Sequence, residues 1–395
     1  MATTANWDFI STNPLDRVPK EMLEAINDPE TCYDIHCHIF DHDYIPDKYF
    51  GIRLPFLANE MVLTDAQKIL NDLNFMTKSN ELSRFANFIR FARATSMEDN
   101  ANYLFANSPK KNIFAPLLMD MFYGIGGNQR KDYYTQMDEM KTLRDKYPDK
   151  LLPFVAIDPN NPDALNIFRK AFSADYNFFG VKIYPALGYL PSHPVLMDIF
   201  SICEQKNIPV TTHCGGYAVH STKSTIKIDA KILNSQNQLI DFSQNVDFYT
   251  KAQYGDFFNK PDNWEPVLQT YPKLKLNFGH FGGDEQWTNY ANNQSNTWPV
   301  KIMDMMHRYD NVYTDISYML YLDNSPKTKP VMDHFRKILD DNQLVLQRTL
   351  FGTDFFMVET EEKYHDLRTQ FIIATKDVVV KQIQRINPQQ FLFGM

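Results

Sequence analysis

The stretch Tyr33-Asp34-Ile35-His36-Cys37-His38-Ile39-Phe40 has the apolar and β-branched composition of a buried strand, interrupted by two histidines. Side chains alternate between the two faces of a strand, so the rings of His36 and His38 point the same way and would together grip one ion. Polar rings on a buried face need partners, because an unpaired buried polar group is costly. For an isolated motif, the alternative is a hydrogen-bonded pair of core or surface histidines.

Length and composition limit the classes of protein that this chain can represent. Its 395 residues are 44% apolar, with many Phe and Tyr, which argues against disorder. The net charge of -8 and the lack of a basic block argue against nucleic acid as a partner. No apolar run approaches the roughly 18 residues of a membrane helix, and residues 1–20 do not resemble a signal peptide. The four cysteines lack paired metal-site spacing, so we expect reduced thiols and a cytoplasmic protein.

Eight short apolar runs alternate with helical stretches along the chain. This alternation predicts parallel strands and an α/β fold in which one domain, residues 1–395, forms a closed (β/α)₈ TIM barrel. Such a barrel needs roughly 250 residues and tolerates insertions. The predicted strands are Cys32–Phe40, Ile113–Asp120, Leu151–Pro159, Phe178–Pro185, Pro209–Gly215, Leu274–Gly283, Val312–Met319 and Thr349–Phe355.

Two insertions interrupt this rhythm. Residues 41–111, after the first strand, carry apolar residues at helical spacing, and we interpret them as a helical cap over the core. Its arginines Arg84, Arg90 and Arg93 alternate with aromatic residues, so a second interpretation is that they reach a carboxylate of the substrate. Residues 217–263, after the fifth strand, are polar, and we interpret them as a long loop over the barrel mouth.

Polar side chains recur where the predicted strands end. In a (β/α)₈ barrel the active site forms at the carboxyl ends of the strands, so these residues are the candidates for chemistry. Four of the ten histidines are among them. In chain order the candidates are His36, His38, Asp120, Asp158, Lys182, His213, His280, Asp315 and Asp354.

Five motifs in this order resemble the amidohydrolase superfamily. They are His36-x-His38, Gly180-Val181-Lys182-Ile183-Tyr184-Pro185, Thr211-Thr212-His213-Cys214-Gly215, Asn277-Phe278-Gly279-His280-Phe281-Gly282-Gly283 and Phe351-Gly352-Thr353-Asp354. Within the superfamily the chain is most similar to the amidohydrolase-2 branch of metal-dependent hydrolases, which also contains decarboxylases and hydratases. The resemblance implies a TIM-barrel metalloenzyme with its metal at the barrel mouth.

The residue types at the strand ends agree with that implication. Neutral imidazole and carboxylate suit zinc or a similar divalent ion, and the proposed ligands are His36, His38, His213 and Asp354. The metal would lower the pKa of a bound water towards about 7, giving a hydroxide at neutral pH. Asp354 would also accept the proton of that water. His280 would polarise the substrate carbonyl or shuttle protons.

Lys182 admits two interpretations. In some branches of the superfamily the lysine on the fourth strand is carboxylated and bridges two metals, and His213 and His280 would then hold the second ion. We instead predict one ion, with Lys182 as a cationic contact to substrate or water. Asp315 is expected to orient a histidine ligand or Lys182, and Asp120 and Asp158 to cap helices or tie loops.

These residues predict a metal-dependent hydrolase acting on a C–O or C–N bond of a small, carboxylated molecule. Tyr184, Tyr217 and Arg90 are the predicted substrate contacts. Decarboxylation or hydration on the same site is the alternative reaction, because members of the family do both. A non-catalytic metal-binding barrel is a third interpretation. The aromatic-rich cap offers a surface for self-association into a homo-oligomer.

Overall fold

A computed structural model describes residues 6–46, 96–216, 219–319, 326, 328–360, 368–369, 371–372 and 375–395. Eight short strands run parallel to one another within these ranges. They are β1 (Cys32–Cys37), β2 (Asn112–Pro116), β3 (Phe154–Ala156), β4 (Gly180–Ile183), β5 (Val210–Thr212), β8 (Leu276–Phe278), β9 (Val312–Asp315) and β10 (Thr349–Leu350). An antiparallel pair, β6 (Thr225–Leu233) and β7 (Leu239–Asp247), lies between β5 and β8 in the sequence.

Backbone hydrogen bonds close the eight parallel strands into a barrel. Strand β1 pairs with β2, and the order β3-β4-β5-β8-β9-β10 forms a continuous sheet. The amide of Leu118, just after β2, donates to the carbonyl of Phe154 at 3.1 Å and joins β2 to β3. The amide of Asp354, after β10, donates to the carbonyl of His36 at 2.7 Å and joins β10 to β1. The predicted (β/α)₈ barrel is therefore confirmed.

Helices connect the strands and cover the outside of the barrel. Their bounds are Lys20–Asn27, Met97–Ala106, Phe122–Ile125, Tyr133–Lys146, Ala164–Ala171, Pro194–Gln205, Lys251–Phe258, Glu265–Thr270, Asp284–Ala291, Trp298–Arg308, Lys329–Asp341, Gln343–Arg348, Asp377–Lys381 and Asn387–Phe393, with a π-helical turn at Gln382–Ile386.

The helix Ala164–Ala171 illustrates how these segments form and dock. Its buried residues recur at the i, i+3, i+4 and i+7 spacing of one helical face, which packs on the barrel: Ala164, Ile167, Phe168 and Ala171. The helix Tyr133–Lys146 begins where the Asp132 carboxylate accepts a hydrogen bond from the Thr135 amide at 2.8 Å. Such a cap satisfies one of the amides that the first helical turn leaves without a partner.

The strands are shorter than predicted at their carboxyl ends. The prediction included the polar residue at the end of each run, but His38, His213, His280 and Asp354 lie in the turns just after their strands. Lys182 lies within β4. Residues in a turn do not follow the alternating side-chain directions of a strand, so these side chains can point towards the barrel axis.

The insertion after β5 is a regular hairpin and a helix, so its prediction as a long loop was wrong. Strands β6 and β7 pair over nine residues each, from Thr225 opposite Asp247 to Leu233 opposite Leu239. Their inner face packs on the helix Lys251–Phe258 through a small apolar cluster: Ile226, Ile228, Ala230, Phe248, Tyr254 and Phe258. The strict apolar alternation of β6 was the missed signal.

The insertion after β1 is described only at its two ends. The helix Met97–Ala106 begins at Ser96, whose hydroxyl accepts a hydrogen bond from the Asp99 amide at 3.2 Å. Residues 47–95, which hold most of the predicted cap and Arg84, Arg90 and Arg93, lie outside the described residues.

Two bulk predictions can be compared with the described structure. Across the described ranges, no helix has the length and apolar character needed to span a bilayer. All four cysteines are free thiols, as expected: Cys32, Cys37, Cys203 and Cys214.

Candidate metal centre

The two histidines of the opening motif present the same nitrogen to one space. Nδ1 of His38 lies 2.8 Å from the carbonyl oxygen of Leu117, and a carbonyl only accepts, so Nδ1 carries the proton. Nδ1 of His36 lies 2.9 Å from Oδ2 of Asp315 and donates in the same way. In the neutral rings, Nε2 of both histidines therefore carries a lone pair.

Asp354 places a carboxylate oxygen between these two lone pairs. Its Oδ1 lies 3.3 Å from Nε2 of His38 and 3.5 Å from Nε2 of His36. The residue has a φ of 59°, a left-handed conformation that costs energy for a residue other than glycine. The bond from its amide to the His36 carbonyl holds this turn against β1.

Electrostatics keep this group in its ligating protonation states. Burial acts to raise the pKa of Asp354, but when the neighbouring rings carry a second proton, the hydrogen bond from His38 and the charges of the histidines outweigh burial and lower the pKa. Burial, reinforced by the charge of Lys182, lowers the pKa of His36 to about 3. Asp354 is therefore a carboxylate at neutral pH and His36 a neutral imidazole.

The carboxylate of Asp315 accepts hydrogen bonds from several surrounding donors. Besides His36, its Oδ2 accepts from Nδ2 of Asn277 at 2.7 Å. Its Oδ1 accepts from the amides of His280 at 3.0 Å and Ser317 at 3.1 Å, and from the Ser317 hydroxyl. The structure supports the prediction that Asp315 orients a histidine, since it fixes the tautomer of His36.

His213 and His280 form a second pair beside the first. Nδ1 of His280 donates to the Ser317 carbonyl at 3.0 Å, so its Nε2 accepts from Nδ1 of His213 at 3.0 Å. Nε2 of His213 is then a lone pair, and it is buried with no hydrogen-bond partner among the described residues. The rings of His36 and His280 lie 4.7 Å apart, so the two pairs adjoin.

Ligand-type atoms within 4.8 Å of one another define two groups in the described structure. One contains His36, His38 and Asp354, and the other contains His36, His280 and Asp315. The predicted ligand His213 belongs to neither group. Three of the four predicted ligands are thus brought together. The fourth, His213, is instead hydrogen-bonded to His280.

Lys182 lies inside the cluster. Its side chain is fully buried, and Nζ lies 3.4 Å from Nε2 of His36. Burial lowers its pKa to about 8, while the charges of Asp354 and Asp315 oppose that shift. At neutral pH the ammonium therefore still predominates, in contact with a predicted ligand.

Of the predicted substrate contacts, only Tyr184 lies in the described structure. Its ring centroid is 4.4 Å from that of His213, and its hydroxyl accepts from the Val219 amide at 3.1 Å. Tyr184 therefore forms a wall beside the second histidine pair. Tyr217 and Arg90 lie outside the described residues.

Sequence reasoning missed Asp34 and Ser317. The buried Asp34 carboxylate accepts from the amide and hydroxyl of Thr353 at 3.1 and 2.6 Å, which anchors the turn that carries Asp354. Its period-two relation to His36 on β1 was an available signal. Ser317 contacts Nδ1 of both His36 and His280, at 3.0 and 2.9 Å, and nothing in the sequence marked it.

Asp120 and Asp158 tie loops, which is one of the two roles predicted for them. Asp158 accepts from the amide of Asn160 at 2.9 Å, which ties a loop, and Asp120 accepts from Asn161 at 2.8 Å. Oδ2 of Asp158 is nevertheless buried with no partner among the described residues. Burial raises the pKa of Asp120 to about 6 and, together with the charge of Asp120, that of Asp158 to about 7.

Comparison with known proteins places this barrel in a family. The family model described as amidohydrolase matches residues 126–394, more than half of the chain, and the chain therefore belongs to the amidohydrolase family. The match begins after β2, so His36 and His38 lie outside it. Membership supports an enzyme of the metal-dependent hydrolase or decarboxylase kind. No curated protein matches the chain.

Several solved structures resemble the chain in fold. A putative 2-pyrone-4,6-dicarboxylic acid hydrolase from Pseudomonas putida is 13% identical, with 92% of this chain and 97% of that chain covered, at a TM-score of 0.50. An uncharacterized TIM-barrel protein from Bordetella bronchiseptica is 17% identical over 92% and 98% of the chains, at 0.48. 2,6-Dihydroxybenzoate decarboxylase from Rhizobium is 15% identical over 71% and 83%, at 0.44. The first of these supports the barrel fold.

Proposed function

We propose that the protein is a metal-dependent hydrolase that cleaves a C–O or C–N bond of a small, carboxylated substrate. One observation carries this proposal. Nε2 of His36 and Nε2 of His38, both acceptors, lie 3.5 and 3.3 Å from Oδ1 of Asp354, which is an acceptor as well. Acceptors held this close repel each other unless a cation or a proton lies among them. Their orientation by Leu117 and Asp315 keeps the lone pairs turned inward.

The donor set suits zinc or a similar divalent ion. Two imidazoles and a carboxylate are a common zinc set. His213, whose buried Nε2 has no partner among the described residues, remains the proposed fourth ligand, although it lies outside both ligand groups. When bound, the ion would polarise a substrate oxygen and acidify a water molecule. We propose one ion per chain, because Lys182 brings an ammonium to the edge of this donor set.

Residues of the chain would carry out proton transfer, bind the substrate and exclude water. Asp354, a carboxylate at neutral pH, would accept a proton. His280 accepts from Nδ1 of His213 and so keeps Nε2 of His213 free for the ion, while His280 itself would carry protons for the substrate. Lys182 supplies a buried positive charge for a substrate carboxylate. Tyr184 closes one side of the site and limits the access of water.

The test combines metal analysis with an activity screen. Purified protein loaded with Zn²⁺ or Mn²⁺ is incubated with lactones, amides and aromatic acids, and products are identified by mass spectrometry. Gain of one water is the expected result, whereas loss of carbon dioxide would assign decarboxylation to the same site. Asp354→Asn is the catalytic control. Protein that binds neither ion and turns over no compound would overturn the proposal in favour of a non-catalytic barrel.

The proposed carboxylate contact in the cap has its own test. If Arg90 binds a substrate carboxylate, Arg90→Ala raises KM sharply and leaves metal content unchanged, because paired guanidinium–carboxylate hydrogen bonds are strong. Arg84→Ala is the matched comparison on the same predicted segment. An unchanged KM in both variants would remove the cap arginines from the proposal.

A further inference from the structure

Two buried cations lie at the end of the barrel opposite the candidate metal centre. Lys275 directly precedes β8, and its backbone carbonyl accepts from the Val210 amide at the start of β5. Arg17 reaches the same place from the amino-terminal segment, since its Nη2 donates to the carbonyl of Asn207 at 3.0 Å, before β5. We name Arg17 and Lys275 the basal cation pair.

Both side chains are buried, and most of their donors have no partner. Lys275 is 9% exposed and Arg17 is 5% exposed. Nζ of Lys275, and Nε and Nη1 of Arg17, make no hydrogen bond to any described residue. In the part of the chain that the structure describes, no carboxylate lies within 4 Å of either cation.

The direction of each side chain follows from its neighbours. Lys275 is two residues before Asn277, and its carbonyl pairs with β5 as a strand residue would, so the two side chains share a face. The Asn277 amide contacts Thr211 and Asp315 inside the barrel, which directs Lys275 towards the barrel axis below them. The guanidinium of Arg17 lies 5.0 Å from the centre of the Phe179 ring, which fixes its position beside β4.

Unpaired buried cations are energetically costly. Moving a charge out of water without a counter-charge is strongly unfavourable. Burial, and the charge of Arg17, lower the pKa of Lys275 to about 8, and burial lowers that of Arg17 to about 10. Lys275 is therefore still largely protonated at pH 7, so the pair keeps a positive charge that no carboxylate of the described residues balances at close range.

We propose that the basal cation pair binds one small anion, a halide or an oxyanion such as phosphate. The anion would accept hydrogen bonds from Nζ of Lys275 and from the free guanidinium nitrogens of Arg17. Because Arg17 belongs to the turn Pro14–Arg17 and Lys275 to the barrel wall, the anion would fasten the amino-terminal segment to the barrel. This anion site is separate from the candidate metal centre, and anion binding there does not depend on catalytic activity.

The test is thermal unfolding of the full chain during titration with sodium chloride, sodium phosphate or sodium sulfate. Sodium gluconate, which is too large for a buried site, keeps the ionic strength constant. The midpoint should rise saturably with at least one of the small anions, since a ligand that binds the folded state stabilises it. The anion that acts at the lowest concentration distinguishes a halide site from an oxyanion site.

Two variants localise the effect. Lys275→Met should weaken the anion response about tenfold or more, because hydrogen bonds to charged groups are strong. It should also raise the midpoint in gluconate alone, since it removes an unpaired buried charge. Lys273→Met, an exposed lysine on the same segment, should respond like the unaltered protein.

Either of two results would overturn the proposal. One is a saturable response that Lys275→Met keeps in full, which would place the anion elsewhere. The other is the absence of any saturable response, which would mean that Lys275 is a neutral buried amine. A crystal soaked in bromide gives a direct check, because the anomalous signal should show one ion between Arg17 and Lys275.

Discussion

Replacing Asp315 by Asn should weaken metal binding without touching a predicted ligand. The carboxylate accepts at both oxygens: from His36 and Asn277 at Oδ2, and from the amides of His280 and Ser317 at Oδ1. An asparagine amide nitrogen cannot accept, so either orientation of the new side chain leaves at least two donors facing it. If the nitrogen takes the Oδ2 position, His36 loses the partner that keeps the proton on Nδ1 and the lone pair on Nε2.

The expected size follows from the role of such partners. Loss of a group that orients a ligating histidine costs about 10- to 100-fold in metal affinity. That corresponds to about 1.4–2.7 kcal/mol of binding free energy. Unfolding free energy should fall as well, by about 1–3 kcal/mol for each buried donor left without a partner.

Competition with a chromophoric chelator for Zn²⁺ measures the affinity, and circular dichroism checks that the variant is folded. Asp310→Asn makes the same chemical change at an exposed position nearby and should leave the affinity unchanged. If Asp315→Asn does not fold, Ser317→Ala is the milder variant, because it removes only the hydroxyl beside Nδ1 of His36. A folded Asp315→Asn protein with unaltered Zn²⁺ affinity would refute the reasoning.

Three further predictions concern other groups. The pKa of Asp158 is about 7 in the folded protein and about 3.8 in the unfolded chain. Between these pH values the native state binds one more proton than the unfolded state, so the free energy of unfolding falls as pH rises from about 4 to about 7. Asp158→Asn should therefore gain about 2–4 kcal/mol over the unaltered protein at pH 8 and little near pH 4, as urea unfolding would show; equal gains at both values would contradict this. His280→Gln should lower kcat about 10²- to 10⁴-fold with metal content retained, and a normal kcat would exclude it as a proton carrier. Gly352→Ala should cost about 1–3 kcal/mol, because the new Cβ would lie 2.6 Å from Cβ of His36, whereas Gly216→Ala meets no atom within 4 Å and should be neutral in thermal unfolding.

The sequence was sufficient for the barrel and for the neighbourhood of most site residues. Strand–helix alternation is a local property of the chain, and parallel strands with helical connections close in few ways. Once the barrel was assumed, His36, Lys182, His280 and Asp354 had to meet at one end of it. The structure brings all four into contact or near contact.

Local pattern was less informative about the insertions. Apolar and polar residues alternate in β6, whereas the barrel strands are buried at nearly every position, yet the polar composition of residues 217–263 favoured a loop. Ile226, Ile228 and Ala230 of the hairpin are buried in one apolar cluster with Leu190, Tyr254 and Phe258. Those partners lie about 25 or more residues away along the chain, beyond the reach of short-range pattern.

By itself, then, the sequence determined the barrel, the family motifs and the set of residues that converge at the carboxyl ends of the strands. Only the tertiary structure decided which nitrogen of each histidine carries the proton. That choice depends on Leu117, Asp315 and Ser317, whose relation to the rings has no sequence pattern. It also decided that His38 and Asp354 face each other while His213 stands behind His280. The period of a strand sets the face on which a side chain lies, whereas hydrogen bonds between distant segments set the direction of its lone pairs.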